Sequence, residues 1–565
     1  VIQDEIWETF GIRKVEWSPQ GLFINGEETL LRGGCVHHDN GILGAATYAV
    51  SEDRRVRIMK EAGFNAIRAS HNPTSKAMLQ ACDKYGMYMM DETWDMWYSR
   101  KSKFDYASKF GENYLKDIKS IVERDYNHPS VIMYSIGNEV ADPHEEKGVA
   151  LAKEMTDYIH SLDQTRAVTC GINLMVINMA SKGKGIYKEE GGRGEKEKKK
   201  DSATSSTLFN MMTAMVGTGM NKAANSKKAD TITTPVLDVL DIAGYNYASG
   251  RYPLEAKKHP ERIVVGTETF PQDIAKNWEM VKKYPYLIGD FMWTSWDYLG
   301  EAGIGAWAYT NDGKVFDKAY PWILADVGAI DIIGKQGAPA AYTATVWGLR
   351  NKPYIGVQPV NYPNVRPAKS VWRGTNAIDS WSWQNCEGNK AIVEVFTDAH
   401  SVKLRLNDKE SKIKKVKDFK VTFKTRYSPG TLTAIAYNEK GEEISKSSLV
   451  SATGKVKINV KPEYTEETAE GINYLDISLI GENEIVESNN DFQLKVTVEN
   501  GELLGFGSAN PRTEEEYHTG VFTTYYGRAQ AIIRRKTAGT VMIRVEGEGV
   551  EPVSIAIPFK GEDKQ

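Results

Sequence analysis

Two glutamates at the ends of short apolar runs are the residues best suited to do chemistry together. Glu139 ends the run Val131–Glu139 (VIMYSIGNE), and Glu268 ends the run Arg262–Glu268 (RIVVGTE). Both runs are rich in β-branched residues, as expected of strands buried on both faces. The pattern predicts a paired-carboxylate site at the C-terminal mouth of a parallel barrel. Each glutamate alone is also compatible with a solvated strand cap.

A pair of carboxyl groups can hydrolyse a glycosidic bond, because one protonates the leaving oxygen while the other acts at the anomeric carbon. Asn138 precedes Glu139, so a neutral amide is placed to hydrogen-bond a sugar 2-hydroxyl. Gly266 and Thr267 precede Glu268 and leave room for a substrate. Since Glu139 ends the fourth predicted strand and Glu268 the seventh, we expect them to face each other across the barrel mouth.

Strand-like and helix-like segments alternate over about residues 20–350, with amphipathic stretches such as 52–62 and 113–125 between the strands. Eight strand–helix units predict a (β/α)8 TIM barrel with insertions. A doubly wound open sheet is the alternative, but no glycine-rich dinucleotide loop follows the first strand. The strand candidates are Leu30–His37, Asn65–Ser70, Met87–Glu92, Val131–Glu139, Arg166–Gly171, Leu240–Tyr247, Arg262–Glu268 and Leu287–Trp296.

An insertion at residues 181–230 interrupts the predicted barrel. Residues 182–200 are rich in Gly, Lys and Glu, which predicts a solvated loop. Residues 208–220 are rich in Met. They are compatible with a short helix or lid over the pocket, and equally with a long loop that has no role.

After about residue 350 the pattern changes to short alternating strands, such as 391–397 and 432–437, separated by turn residues. This is typical of β-sandwiches. The predicted fold is therefore α/β plus all-β, in which a TIM barrel precedes two immunoglobulin-like β-sandwich domains. Phe10–Trp17 is interpreted as the last strand of a preceding immunoglobulin-like domain. The predicted divisions are a remnant at 1–20, a catalytic barrel at 21–350, and sandwiches at 351–453 and 454–565.

Composition excludes some partners and leaves the compartment open. A net charge of −4 gives no indication of nucleic acid or an anionic membrane as partner, and no run approaches a membrane span. The four cysteines lack metal-type spacing and are interpreted as buried thiols. No signal peptide is visible, but the chain opens at Val1 in mid-pattern, so we expect a fragment or a processed product. A periplasmic or secreted location is slightly favoured over a cytoplasmic one.

Five motifs together resemble glycoside hydrolase family 2, the family of β-galactosidases, β-glucuronidases and β-mannosidases. They occur in the family's order over roughly residues 10–350, and the two later β-blocks are similar to the C-terminal domains of bacterial members. The motifs are Arg32–Asp39 (RGGCVHHD), Ile67–Pro73 (IRASHNP), Asp91–Glu92, Ser135–Glu139 (SIGNE) and Gly266–Glu268 (GTE).

The resemblance implies a role for each matching position. Glu139 would be the general acid/base, with its pKa raised by burial and the neighbouring carboxylate, and Glu268 would be the nucleophile. Asn138 would hold the 2-hydroxyl, and Arg68 would keep Glu268 charged. The remaining implied substrate-binding residues are His37 and His71 near the sugar hydroxyls, Tyr247 beside the nucleophile, and Trp293 as an aromatic floor.

For several of these positions, a nearby residue of similar type could fill the implied role instead. Each such residue could also have an ordinary structural role, in an ion pair, a loop contact or the core. Asp91 and Glu92 are as readily explained as supporting groups as by a direct site role. The competing sets are His37 with His38 and Asp39, Tyr247 with Tyr245, and Trp293 with Trp296.

Two departures from the family pattern narrow the expected chemistry. Some members bind a divalent metal through an acidic residue and a histidine after the third strand, but Asp91–Trp97 (DETWDMW) contains no histidine. We therefore predict no metal and no cofactor. Glucuronidases carry an Asn-x-Lys motif after the eighth strand, which Ala325–Ala329 lacks; Asn311–Lys314 is at the wrong spacing and is interpreted as a turn. A neutral hexose is favoured.

The leading hypothesis is a retaining exo-β-glycosidase that hydrolyses terminal β-D-galactosides. β-Glucuronidase and β-glucosidase are the alternatives within the family. A non-catalytic carbohydrate-binding protein with a degenerate barrel is the alternative from another class, and a metal-dependent barrel hydrolase is a third. The expected partner is an oligosaccharide or glycoside, with no nucleic acid and no membrane, and a homo-oligomer is compatible with the sequence.

Overall fold

The computed structural model describes residues 4–183, 224–315, 318–537 and 539–559, together with residues 211, 213, 215, 217–219 and 221. The chain divides into two compact units. One comprises Val1–His38 and Met59–Ser295, and the other comprises Asp39–Ile58 and Trp296–Gln565.

The first unit contains a small antiparallel sheet and a closed barrel of parallel strands. Strand β1 (Val15–Ser18) pairs with β2 (Gly21–Ile24), which pairs with β3 (Glu27–Glu28). The barrel closes because its last strand pairs with its first, with Gly289 opposite Leu31. The barrel strands are β4 (Leu31–Val36), β5 (Ala66–Ala69), β6 (Tyr88–Glu92), β7 (Val131–Asn138), β8 (Ala167–Ile172), β9 (Ala243–Asn246), β10 (Val264–Thr269) and β11 (Leu287–Met292).

Helices follow the barrel strands, and capping residues mark where they begin and end. The Ser75 side chain accepts a hydrogen bond from the backbone N–H of Met78 at one helix start, and Gly86 ends that helix in the left-handed region at φ 62°. Within the described ranges, the α-helices are α1 (Ala49–Glu61), α2 (Lys76–Tyr85), α3 (Ala107–Asp125), α4 (Glu146–Leu162), α5 (Leu174–Ala180), α6 (Lys227–Leu237), α7 (Tyr252–Lys258), α8 (Ile274–Lys283) and α9 (Ala338–Val346).

The predicted (β/α)8 barrel is confirmed, and all eight strand candidates overlap an observed strand. Every residue of β7 is buried, which explains its unbroken apolar run. Most ends agree to within two residues, and two differ by more. The candidate that was expected to start at Leu240 begins at Ala243, and the one that was expected to reach Trp296 stops at Met292.

In the part of the second unit that the structure describes, the strands form four antiparallel sheets. Two sheets share one core, in which Val395 and Phe423 pack with Leu404 and Leu432 of the facing sheet. The other two share a second core around Leu475, Phe506 and Val545. Paired sheets around a common core confirm the predicted β-sandwiches.

The strands of these sheets run in chain order from Tyr354 to Phe559. Sheet by sheet, they are β12 (Tyr354–Val357), β13 (Lys390–Phe396) and β17 (Lys420–Arg426); β14 (Ser401–Leu406), β15 (Lys409–Glu410), β16 (Lys414–Lys415), β18 (Thr431–Tyr437) and β19 (Glu443–Val450); β20 (Lys457–Pro462), β21 (Ile472–Ile480), β23 (Gly501–Gly507) and β25 (Arg528–Arg535); β22 (Gln493–Glu499), β24 (Val521–Thr523), β26 (Gly539–Gly547) and β27 (Val550–Phe559).

Several sequence predictions concern the edges of these units. The predicted loop at 182–200 and the predicted lid at 208–220 lie outside the described residues, apart from residues 182–183, 211, 213, 215 and 217–219. The predicted strand Phe10–Trp17 is represented by β1, which pairs within its own small sheet. The domain boundaries, including the assignment of residues 1–20 to a preceding domain, stay predictions. All four cysteines are buried, as predicted. Within the described ranges, no helix is long and apolar enough to cross a bilayer.

Candidate active site

The C-terminal ends of the barrel strands bring a set of buried polar side chains together. Arg68 comes from β5, Glu92 from β6, Asn138 from β7, Asn246 from β9 and Glu268 from β10. Each is at most 5% exposed. Buried charges and amides of this kind persist only when they satisfy one another, so their contacts form one network.

Arg68 is the centre of the network. Its Nη1 donates to Glu268 Oε1 at 2.8 Å, and its Nη2 donates to Glu92 Oε2 at 2.6 Å and to Asn138 Oδ1 at 3.0 Å. A second bond to Glu92 runs from Nε at 2.9 Å. The guanidinium therefore fixes three groups from three strands and balances the charge of two buried carboxylates.

Glu92 connects Arg68 to His71. Its Oε1 accepts from His71 Nδ1 at 2.7 Å, and its Oε2 accepts from Ser135 Oγ at 2.6 Å. Burial alone would lower the pKa of His71, but the hydrogen bond and charge of Glu92 outweigh burial and raise it. His71 Nε2 lies 3.8 Å from Glu268 Oε1, so the imidazole stands between the two carboxylates.

A second cation, Lys101, supports the amide of Asn138. Lys101 Nζ donates to Asp95 Oδ1 at 2.6 Å and to the Asn138 carbonyl oxygen at 2.8 Å. Asn138 Nδ2 donates to the same Asp95 oxygen at 2.9 Å. Although burial opposes it, the charge of Lys101 holds the pKa of Asp95 well below its usual range. Both ends of the Asn138 side chain are thus fixed.

Glu139 lies one residue beyond β7 and is oriented by both backbone and side-chain contacts. Its N–H donates to the Gly171 carbonyl at 2.7 Å, and its φ of 44° is in the left-handed region that non-glycine residues rarely occupy. Asn173 Nδ2 donates to its Oε1 at 2.7 Å, and Asn246 Nδ2 donates to the same oxygen at 3.2 Å. The carboxyl group is therefore held by two neutral amides.

Burial raises the pKa of Glu139 to about 7, and the charge of Glu268 acts in the same direction. Lys101 and the two amide donors oppose this rise only in part. At neutral pH, Glu139 is therefore poised between its protonated and ionised forms, as a group that gives and takes protons must be.

Asn173 links the fold to the site. It is the N-cap of α5, where its Oδ1 accepts from the backbone N–H of Met175 at 3.0 Å. The same side chain donates its amide hydrogen to Glu139. One residue therefore starts a helix and orients a carboxyl group.

Gly171 allows the polar side chains to approach the barrel wall. A Cβ at this position would lie 2.6 Å from Arg68 Nη2 and 3.1 Å from the Oδ1 atoms of Asn138 and Asn246. Any other residue would displace the guanidinium or the amides, because such contacts are shorter than van der Waals distance.

Three aromatic rings lie beside the carboxylates. The His71 ring stacks on the Trp293 ring at a centroid distance of 5.2 Å and an interplanar angle of 5°. His37 packs edge-on against both, with centroids 5.9 Å from His71 and 5.4 Å from Trp293. Trp293 is 4% exposed, so most of its surface is already covered by protein.

Comparison with known proteins identifies the family to which the barrel and the C-terminal region are similar. The family profile described as "Glycosyl hydrolases family 2, TIM barrel domain" matches residues 15–208, and "Glycoside hydrolase family 2 C-terminal domain 5" matches residues 456–556. A domain of unknown function matches residues 388–445. The chain belongs to glycoside hydrolase family 2.

A solved structure of a glycosyl hydrolase family 2 member from Bacteroides cellulosilyticus is similar, with a TM-score of 0.81 and 31% identity over 98% of this chain and 65% of that one. A β-galactosidase, BoGH2A, from Bacteroides ovatus is 24% identical over 95% of this chain and 62% of its own length. A putative β-glucuronidase from Formosa agariphila is 25% identical over 96% of this chain and 50% of its own length. The chain thus spans between half and two thirds of these family 2 relatives.

The structure places all eight predicted site residues in the first unit, and six of them form a connected set. Arg68, His71, Asn138, Glu139 and Glu268 share the polar network, directly or through Asn246, and Trp293 stacks on His71. The other two lie at the edge of this set. His37 packs against the rings of His71 and Trp293, and Tyr247 is joined to Glu268 through its backbone N–H at 2.8 Å.

The residues that compete in sequence with the predicted site residues have different environments in the structure. His38 is exposed, whereas Asp39 is buried and accepts from the backbone N–H groups of Gly41 and Leu299 in the second unit. Tyr245 is fully buried, and its hydroxyl accepts from Arg262 at 3.4 Å. Trp296 belongs to the second unit. The alternation that paired Tyr245 with Tyr247 breaks, because Tyr247 has a φ of 51°.

Asp91 and Glu92 have different environments although they are adjacent. Asp91 accepts from the backbone N–H of Thr74 at 3.0 Å and pairs with Arg124 of α3. Burial, together with the charge of Asp125, raises its pKa. Glu92 instead joins Arg68 to His71. A purely supporting role therefore fits Asp91 better than Glu92, which is part of the network itself.

Sequence reasoning did not single out Asp95, Lys101, Asn173 or Asn246. Asn173 alone carried a usable signal, because an Asn between a strand and an apolar helix is a typical N-cap. Among the described residues, no group of three or more His, Cys, Asp or Glu side chains is arranged to hold a metal ion. The expected absence of a metal stays a prediction.

Proposed function

We propose that this chain is a retaining exo-β-glycosidase that hydrolyses terminal β-linked neutral hexoses, with β-D-galactosides as its substrate class. The observation that carries the proposal is the contrast between the two glutamates. Glu139 has a pKa raised to about 7 and is held by neutral amides, whereas Glu268 is bonded to the buried guanidinium of Arg68. Such a contrast suits one proton donor and one charged nucleophile.

In the first proposed step, a Glu268 carboxylate oxygen attacks the anomeric carbon. Protonated Glu139 gives its proton to the glycosidic oxygen as the bond to the aglycone breaks. The product is an ester between Glu268 and the sugar. Arg68 would stabilise the charged form of Glu268, because its hydrogen bond balances the carboxylate charge before the attack and again when the ester bond breaks.

In the second proposed step, Glu139, now ionised, removes a proton from water as the water oxygen attacks the anomeric carbon. The bond to Glu268 breaks, and the sugar leaves with its original β-configuration. Asn138 would hydrogen-bond the 2-hydroxyl, with its amide oriented by Asp95 and Arg68. His37, His71, Tyr247 and Trp293 complete the proposed substrate-binding set.

A neutral sugar is proposed because, among the described residues of the site, both Arg68 and Lys101 already have acidic partners. Arg68 pairs with Glu92 and Glu268, and Lys101 pairs with Asp95. Lys314, in the lookalike of the glucuronidase motif, donates to its own neighbour Asn311 at 2.8 Å in an exposed turn. A uronic acid would call for a cation that is available to its carboxylate. The relative named as a putative β-glucuronidase keeps that sugar as an alternative, beside glucose.

A panel of 4-nitrophenyl β-glycosides of galactose, glucose, mannose and glucuronic acid tests the proposal. We expect the highest kcat/KM on the galactoside. No hydrolysis of any β-glycoside by the chain would refute the glycosidase assignment. A preference for the glucuronide would refute only the choice of sugar.

The nucleophile is tested by Glu268→Ala, with Glu279→Ala on the exposed face of α8 as the matched control. Loss of Glu268 should abolish turnover, and azide should restore it in part, giving the α-glycosyl azide. Glu279→Ala should keep wild-type rates. If azide yields no such product, the attacking group lies elsewhere.

A non-catalytic carbohydrate-binding protein is the competing class. Calorimetry that detects glycan binding to the wild-type chain, with no turnover over days, would favour it. The paired glutamates argue against this interpretation, because binding alone does not require a carboxyl group with a pKa near neutrality.

A further inference from the structure

The second unit contains a cavity of about 700 Å³. Its wall comes from the 306–337 segment, the 373–381 segment and the C-terminal sandwich at 523–528. This volume falls within the roughly 300–1,000 Å³ that is typical of small-molecule sites. The cavity lies entirely within residues of the second unit, and none of the proposed catalytic residues lines it.

Tyrosine rings form a flat surface in this cavity. Tyr309 and Tyr362 stack with centroids 4.1 Å apart and an interplanar angle of 10°. Tyr362 is 38% exposed, so the stack still offers aromatic surface to a ligand. Asn376 Nδ2 donates to the Tyr309 hydroxyl at 2.9 Å and fixes that ring. Tyr525 and Tyr526 add a second pair, with centroids 4.3 Å apart.

The basic side chains of the wall are paired with acidic ones. Arg373 is bonded to Asp326, and its Nε also donates to the Thr375 carbonyl at 3.1 Å. Lys335 pairs with Asp379 at 2.7 Å. Acidic and basic side chains line the cavity in nearly equal numbers. An anionic ligand would have to break these pairs, whereas hydroxyl groups can share their remaining donors and acceptors.

We propose that this cavity is a second carbohydrate-binding site that takes a neutral oligosaccharide. A pyranose ring has one apolar face of C–H groups and a rim of hydroxyls, which matches the Tyr309–Tyr362 stack beside paired polar groups. Arg373, Asp326 and Asn376 would hydrogen-bond the rim. Binding in this cavity would tether a glycan independently of its hydrolysis.

Isothermal titration calorimetry of the Glu268→Ala chain with β-1,4-linked tetrasaccharides of galactose, glucose and mannose tests this site. Tyr362→Ala in that background should weaken binding of the preferred tetrasaccharide about tenfold, the loss expected when one stacked aromatic contact is removed. Tyr362→Phe should retain binding. Tyr126→Ala is the matched control, because Tyr126 is 61% exposed and does not line the cavity.

A second measurement separates the cavity from the proposed active site. In the otherwise wild-type chain, Tyr362→Ala should leave kcat/KM for a 4-nitrophenyl monosaccharide unchanged. Because Tyr362 is partly exposed, the variant should lose only a few degrees of unfolding temperature. The calorimetry needs no turnover, so it is informative even if the chain hydrolyses none of the glycosides.

Three results would overturn the proposal. The first is tetrasaccharide binding that is equally strong in the Tyr362→Ala and parent chains. The second is no detectable binding at tetrasaccharide concentrations up to about 10 mM. The third is binding of 4-nitrophenol that depends on Tyr362 while no tetrasaccharide binds, which would make the cavity a site for aromatic compounds.

Discussion

Replacing Glu139 by glutamine should remove the alkaline limb from the pH profile of kcat/KM. Burial, with a smaller contribution from Glu268, raises the pKa of Glu139 from the usual 4.5 to about 7. That rise corresponds to about 3 kcal/mol in favour of the protonated form. The proton donor is therefore present below pH 7, and kcat/KM should fall as pH rises through that value.

The size of the effect follows from the titration. At one pH unit above the pKa, about one tenth of Glu139 remains protonated, so kcat/KM should drop about tenfold for a substrate whose leaving group needs a proton. Losing the donor altogether should cost about 10²–10⁴-fold with a phenyl glycoside. A 2,4-dinitrophenyl glycoside should lose far less in its first step, because its leaving group departs without a proton.

The assay is kcat/KM from about pH 5 to pH 9 with both substrates, for the wild-type chain, Glu139→Gln and the control Glu123→Gln. Glu123 is an exposed residue of α3, with 65% of its side chain accessible, and its loss should leave the profile unchanged. If Glu139→Gln kept the wild-type alkaline limb, another group would control it. If both substrates lost activity equally, Glu139 would act other than by proton donation.

Three further predictions follow from the same network. Arg68→Met should lower the free energy of unfolding of the barrel unit by about 3–5 kcal/mol, measured by denaturant titration, because it leaves Glu92 and Glu268 buried without the guanidinium that they share. Lys101→Met should move the alkaline limb to higher pH in a rate profile, since the charge of Lys101 lowers the pKa of Glu139. Gly171→Ala should reduce kcat at least tenfold while circular dichroism stays unchanged, because its Cβ displaces the guanidinium.

Each of these predictions has a contrary outcome. Wild-type stability in Arg68→Met would mean that the buried carboxylates are neutral or reach solvent. A limb that moves to lower pH in Lys101→Met would reverse the sign of the lysine's effect. Full activity in Gly171→Ala would show that the network tolerates a shift of its central side chain.

The barrel and its two glutamates were predictable because both depend on local patterns. Val131–Asn138 has the composition of a strand buried on both faces, and the residue after such a strand must emerge at the barrel mouth. The same reasoning located Glu268 on β10. Strand ends were harder to predict, because apolar residues such as Leu240 and Trp296 extend the pattern beyond the residues that pair in the barrel.

The supporting network was harder to predict, because it depends on contacts between strands that are distant in sequence. Asn246 meets Asn138 across 108 residues, and Lys101 meets the Asn138 carbonyl from a loop. Neither contact leaves a periodic signal. Tyr247 shows a different limit, because strand alternation assumes extended backbone and its positive φ turns the chain at that point.

The buried ion cluster around Arg68 also has a consequence for engineering. Folding must strip water from this guanidinium and from two carboxylates, and ion clusters of this kind are often less stabilising than apolar side chains of the same volume. Replacing Arg68, Glu92 and Glu268 together by apolar residues should therefore give a barrel that is more stable but has no activity. A selection for thermostability that does not also require activity would favour substitutions at these three positions. The three residues should therefore be kept unchanged when the protein is engineered for stability.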